Sequence, residues 1–131
     1  MSVSKKTLPV LLAGAGVFAL SACSSTPTRG DLAGIWTVDL SPSPDADPYV
    51  QVMELDLDEG GSLSGVFYQT EFDNGQVHDA WGDVVFGFGT SDGSANYAHS
   101  GRMITPDRIE GQSYSPERGF VMPWRAVRVE P

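Results

Sequence analysis

Few side chains in this sequence offer chemistry: one thiol, Cys23, and two imidazoles, His78 and His99. His78-Asp79 and His99-Ser100 set a base beside a carboxylate or a hydroxyl, the ingredients of a nucleophile, base and acid set. Neighbours along a strand point to opposite faces, however, and no serine sits in the glycine pattern of a nucleophile elbow. Two scattered histidines also lack the spacing of a metal motif. The sequence therefore predicts no catalytic residue, no metal site and no cofactor. One histidine is expected on the surface and one packed beside Phe86.

The thiol has a different context. Lys5-Lys6 precede an apolar run from Leu8 to Leu20, and a small-residue site, Ser21-Ala22, leads into Cys23. Charged region, apolar region and small residues make the layout of a secretory signal peptide. The run is interrupted by Pro9 and falls short of the roughly 20 residues of a membrane-spanning helix. A free thiol in an exported protein would be open to oxidation and mispairing.

Leu20-Ser21-Ala22-Cys23 resembles the lipobox of bacterial lipoproteins. The resemblance implies cleavage before Cys23 and a diacylglyceryl thioether on its sulfur, with acyl chains such as palmitate holding the protein to the membrane. Ser24, rather than Asp, implies transfer to the outer membrane, facing the periplasm. The expected organisation is a signal peptide at 1–22, a lipidated tether at 23–30 carrying Ser, Thr, Pro and Gly, and one small domain at 31–131.

Charge narrows the partners. The full chain carries −9 at pH 7, and both lysines lie in the leader. The chain from Cys23 onward keeps six arginines against all 17 acidic residues. Such a surface repels phosphate backbones and anionic head groups, which excludes nucleic acid and leaves membrane attachment to the lipid. With Cys23 acylated, no disulfide is available, and a small domain then depends on its core.

The apolar pattern beyond Gly30 has period two. Trp36, Val38 and Leu40 share one face of a first strand, and the prolines of Ser41–Pro48 end it. Met53, Leu55 and Leu57 alternate with Glu54, Asp56 and Asp58. A loop at Glu59-Gly60-Gly61 pairs Leu57 with Leu63, Leu55 with Gly65 and Met53 with Phe67. Phe72-Asp73-Asn74-Gly75 reads as a turn before a strand from Gln76 to Trp81. Asp92-Gly93 reads as a two-residue hairpin turn, pairing Phe88 with Tyr97, Phe86 with His99, Val84 with Gly101 and Asp83 with Arg102. Turns at Thr105-Pro106-Asp107 and Pro116–Gly119 bound a strand that presents Ile109, Gly111 and Ser113. The last strand presents Phe120, Met122, Trp124 and Ala126, with Pro123 at a bulge or an unpaired position. Eight antiparallel strands in sequence predict an all-β, up-and-down barrel.

Gly34-Ile35-Trp36 resembles the Gly-x-Trp signature of the calycins, the barrels of lipocalins, fatty-acid-binding proteins and avidins. Trp124-Arg125-Ala126-Val127-Arg128 is similar to their closing strand, and Gly61-Ser62-Leu63-Ser64-Gly65 to a hairpin of avidin-like barrels. The resemblance implies that a basic residue, Arg128 before Arg125, covers Trp36 at the closed end. Tyr68, Trp81, Phe86, Tyr97, His99 and Trp124 are then the side chains expected to line a ligand, or simply to fill the lumen. Two readings follow for a monomeric, non-catalytic envelope barrel. Either a small apolar or amphipathic ligand enters its mouth, or a filled barrel docks an envelope protein, as small lysozyme-inhibitor and protease-inhibitor lipoproteins do.

Overall fold

The computed structural model describes residues 25–129. Eight strands follow a short 3-10 turn at Arg29–Leu32. They are β1 (Gly34–Asp39), β2 (Val50–Leu57), β3 (Leu63–Phe67), β4 (Thr70–His78), β5 (Val85–Ser91), β6 (Asn96–Thr105), β7 (Arg108–Ser115) and β8 (Phe120–Arg128). Each is antiparallel to the next, and β8 returns to β1, so the sheet closes into an up-and-down barrel. Closure removes both sheet edges, which suits a domain without a disulfide.

The β2–β3 hairpin has the expected register, with Leu57 opposite Leu63 and Met53 opposite Phe67. The Asp92-Gly93 hairpin does not. Ser91 pairs with Asn96 and Phe88 with His99, so the centre of the turn falls one residue on, at Gly93-Ser94. Asp92 explains the shift: its Oδ1 accepts from the backbone N–H groups of Ser94 and Ala95, both at 2.9 Å, which folds the aspartate into the loop. Phe86 consequently faces Gly101, and Arg102 faces Val85. Asp83 still reaches Arg102, at 3.8 Å across the diagonal.

The expected turn at Phe72-Asp73-Asn74-Gly75 is interior to β4. The chain turns instead at Tyr68-Gln69, whose φ values of 54° and 64° put two non-glycine residues in the left-handed region. Gly75 serves close packing: a Cβ there would lie 2.6 Å from the Leu63 carbonyl oxygen, beside a shift in the β3–β4 register. β4 ends at His78, three residues short of Trp81. At the N-terminus, Arg29 and Gly30 belong to the 3-10 turn rather than to a tether. At its start the Asp31 carboxylate reaches back to accept the Thr28 backbone N–H at 2.8 Å, as the third residue of a capping box does. Pro123 lies where β8 is paired with β7 alone, because the β1 register begins at Arg125.

Side chains occupy the interior. Trp36, Met53, Leu55, Leu63, Phe67, Phe72, Phe86, Phe88, Met103, Ile109 and Trp124 form one buried cluster, closed below by Leu32. Glycines make room for the largest rings. A Cβ on Gly111 would stand 2.5 Å from the Ser100 carbonyl oxygen and 2.5 Å from the Trp124 ring, and one on Gly101 would stand 2.6 Å from Phe86. Gly111→Ala is therefore expected to destabilise the barrel by about 1–3 kcal/mol, the usual cost of overpacking, read as a lower urea midpoint at unchanged slope.

Candidate functional site

The two ends of the barrel are built differently. At the closed end Trp36 is fully buried and donates its indole N–H to the Leu32 carbonyl at 3.0 Å. Arg128 lies over the ring, its guanidinium carbon 4.4 Å from the centroid. Its N–H groups also reach the carbonyls of Ala33 at 3.0 Å and Pro106 at 2.8 Å, the carbonyl of Asp31, and the Asp107 carboxylate at 3.2 Å. Strand parity selects this arginine. Arg128 shares the inward face with Trp124 and Ala126, whereas Arg125 points outward opposite Asp39. Gly34 is required beside it, since φ is +141° and a Cβ would meet the guanidinium at 2.6 Å. These contacts make the closed end a structural plug.

The open end carries the exposed aromatic residues. Tyr49 and Tyr68 are 42% and 50% exposed and share a hydrogen bond between their hydroxyls. That bond, and then burial, raise the Tyr68 pKa above its ordinary value. Tyr97 packs 6.1 Å from Phe120, which turns toward the rim at 37% exposure rather than into the core. The Tyr97 hydroxyl donates to Asp92 at 2.6 Å, and Arg118 donates to the same carboxylate at 3.2 Å. The Tyr97 bond leads the donors that hold the Asp92 carboxyl well below the usual carboxylate range. Asn96 N–H donates to Glu117 at 2.5 Å, and the Ser115 hydroxyl donates to the Asn96 carbonyl at 2.9 Å. The β5–β6 and β7–β8 loops are thus locked together, and Tyr97 is fixed in place.

Beside this rim the wall opens. β4 and β5 pair only from Gln76↔Gly87 to His78↔Val85. Above that, the Asn74 side chain takes the Gly89 N–H at 3.0 Å, and Phe72 stacks on Phe88 with centroids 3.8 Å apart. A cleft of about 440 Å3 results, lined by Thr70, Phe72, Asn74, Thr90, Asn96 and Tyr97 among others. A broader trough of about 750 Å3 lies lower on the outer wall, where Gly87 lacks a side chain between Gln76 and Ser100. The rim and its cleft make the better candidate, because the exposed Tyr49 and Tyr68 and the half-buried Tyr97 gather there. No family model matches the chain, and no curated protein matches it significantly.

The expected lining residues separate into three groups. Phe86, His99 and Trp124 are buried. Tyr68 and Tyr97 belong to the rim. Trp81 is 91% exposed in the β4–β5 loop and lines nothing, because the strand ends before it. Tyr114 likewise points outward, 49% exposed. Cys23 lies outside the described residues.

His99 is the polar member of the core. Its Nδ1 lies 2.7 Å from Ser113 Oγ and its Nε2 2.9 Å from Thr90 Oγ1, while Trp124 Nε1–H donates to Ser113 Oγ at 3.0 Å. The arrangement that gives every hydrogen an acceptor runs from Trp124 to Ser113, from Ser113 O–H to His99 Nδ1, and from His99 Nε2–H to Thr90. Burial pushes the imidazole pKa down to about 4. The Ser113–His99 distance would suit a nucleophile and its base. Ser113 Oγ is buried, however, engaged by an indole, and set on Nδ1, the ring nitrogen a triad gives to its carboxylate, while Thr90 rather than a nucleophile takes Nε2. His78, exposed on the outer wall, points away from this network.

Proposed function

We propose that this protein is a lipid-anchored, non-catalytic envelope protein, attached through Cys23, that docks a polypeptide partner on the open rim of its barrel. The carrying observation is the filled interior. A lumen occupied by Phe67, Phe86, Phe88, Trp124 and their neighbours leaves the mouth as the place for recognition. Tyr49, Tyr68, Tyr97 and Phe120 supply amphipathic contact area at small entropic cost, the residue type favoured at binding hot spots. Asp39, Glu71, Asp73 and Glu117 are exposed around the same end, so a basic partner surface, such as that of a lysozyme, is the complementary class. Lipid attachment rests on the lipobox resemblance and on the single cysteine.

A photo-crosslinking side chain at Gln69, between Tyr68 and Thr70, is expected to give one discrete heavier band in whole cells. The same group at Glu54, on the outer wall, is expected to give none. Equal labelling from both positions, or none from Gln69, would remove the rim from the proposal. The β4–β5 cleft favours a second reading, because about 440 Å3 falls within the range of small-ligand pockets. A stoichiometric small adduct in the native mass of the purified protein would select that reading instead.

A further inference from the structure

Trp81 has no part in the core or in the rim. An indole that is 91% exposed gives almost nothing to folding, and the loop around it, Asp79–Val84, belongs to the closed end, opposite the tyrosines. The same end receives the chain from Cys23. Arg29, at the start of the 3-10 turn, forks onto the Asp79 carboxylate through Nε at 3.1 Å and Nη2 at 3.0 Å. That pair raises the Arg29 pKa and lowers that of Asp79. It also fixes the entering chain two residues from Trp81.

We infer that Trp81 is a membrane-interface anchor: its indole enters the head-group layer beside the lipid on Cys23, and the barrel stands closed end down with its tyrosine rim away from the bilayer. The inference rests on lipidation of Cys23. Five residues separate Cys23 from Arg29, and at full extension the span from one to the other reaches roughly 20 Å. The loop is thereby confined close to the surface whatever path the tether takes. Indoles partition to the head-group level, where the ring is desolvated and its N–H stays hydrogen-bonded. Ala80 and Gly82 flank the ring with no bulk to keep it from the lipid. Asp79 and Asp83 lie just beyond, so zwitterionic head groups suit the loop better than anionic ones.

The other two tryptophans are buried, Trp36 completely and Trp124 at 3% exposure, so a change in tryptophan emission on vesicles reports Trp81. The full chain, produced in a bacterium that acylates lipoproteins and labelled with palmitate, is reconstituted into phosphatidylcholine vesicles containing lipid spin-labelled near the head group. The expected result is a blue shift, loss of most of the Trp81 emission to the spin label, and protection from acrylamide. Trp81→Phe should abolish the quenchable component while the protein still floats with the vesicles, because the acyl chains hold it. Labelled, floating protein whose Trp81 stays open to acrylamide overturns the inference and leaves the anchor intact; this is also the outcome if Trp81 serves a protein partner. Absence of palmitate label, or label retained in Cys23→Ala, overturns the anchor and the inference together.

Discussion

Arg128→Met is expected to lower the melting temperature by about 12–24 °C. The guanidinium covers the Trp36 ring and spans the carbonyls of Asp31, Ala33 and Pro106, tying the 3-10 turn, the start of β1 and the β6–β7 turn to the last strand. Hydrogen bonds to a charged group contribute about 1.5–3 kcal/mol, and a partly desolvated cation–π contact about 1 kcal/mol. Removing both leaves three carbonyls short of a donor at the end of the barrel, for a loss of about 3 kcal/mol. Each kcal/mol shifts a domain of this size by about 4–8 °C. Arg128→Lys should recover less than half, since an ammonium cannot fork across separated acceptors. Arg125→Met is the control: outward facing, it should change stability by no more than about 0.5 kcal/mol. Thermal denaturation followed by circular dichroism checks all three, and equal shifts for Arg125 and Arg128 would show that the plug contributes nothing special.

That contrast between two arginines shows what the sequence makes legible. Parity along a strand needs no knowledge of the partner strand, so the inward set Trp124, Ala126 and Arg128 can be read from the chain itself. The β2–β3 register was equally open to reading, because the loop length and the apolar alternation agree at Leu57 and Leu63. The Asp92-Gly93 hairpin shows how a local signal misleads without harm to the faces. Moving the turn centre by one residue moves every partner by two, so Phe86, Phe88 and His99 keep pointing inward while all their partners change.

The rim was not legible, for two physical reasons. Tyr68-Gln69 turns through left-handed conformations with no Gly, Asn or Asp to announce it. Asp73-Asn74-Gly75 carries that signal yet runs through a strand whose glycine serves close packing. The His99–Ser113 pairing was hidden by a register shift between Met103 and Thr105. Counting outward from the Pro106-Asp107 turn puts Tyr114 opposite His99; the extra residue brings Ser113 there instead. A bulge of this kind leaves no compositional mark.

The second large effect comes from that buried imidazole. Above pH 6.5 His99 is neutral in both the folded and the unfolded chain. As the pH falls through 6.5 the unfolded chain takes up a proton, whereas the folded chain does so only near 4. Between these values the unfolded state binds more protons, so folding stability declines as the pH drops. The total loss across the window is about 3 kcal/mol. The cause is structural: an added proton on Nδ1 would face the Ser113 hydroxyl hydrogen, among Phe67 and Phe88 rings 4.9 Å away and with no carboxylate in the network. His99→Gln keeps a donor and an acceptor without titrating. It should be less stable at neutral pH but nearly flat from pH 6.5 to 4.5, where the parent chain slopes. Two salt-bridged carboxylates do not blur this window. Asp79 and Asp92 have lowered pKa values, so their contributions persist above the ordinary value of 3.8 and are lost only at more acid pH. Urea unfolding at constant ionic strength measures both chains. Parallel curves between pH 6.5 and 4.5 would mean that the His99 proton does not set acid stability, and that the network tolerates charge.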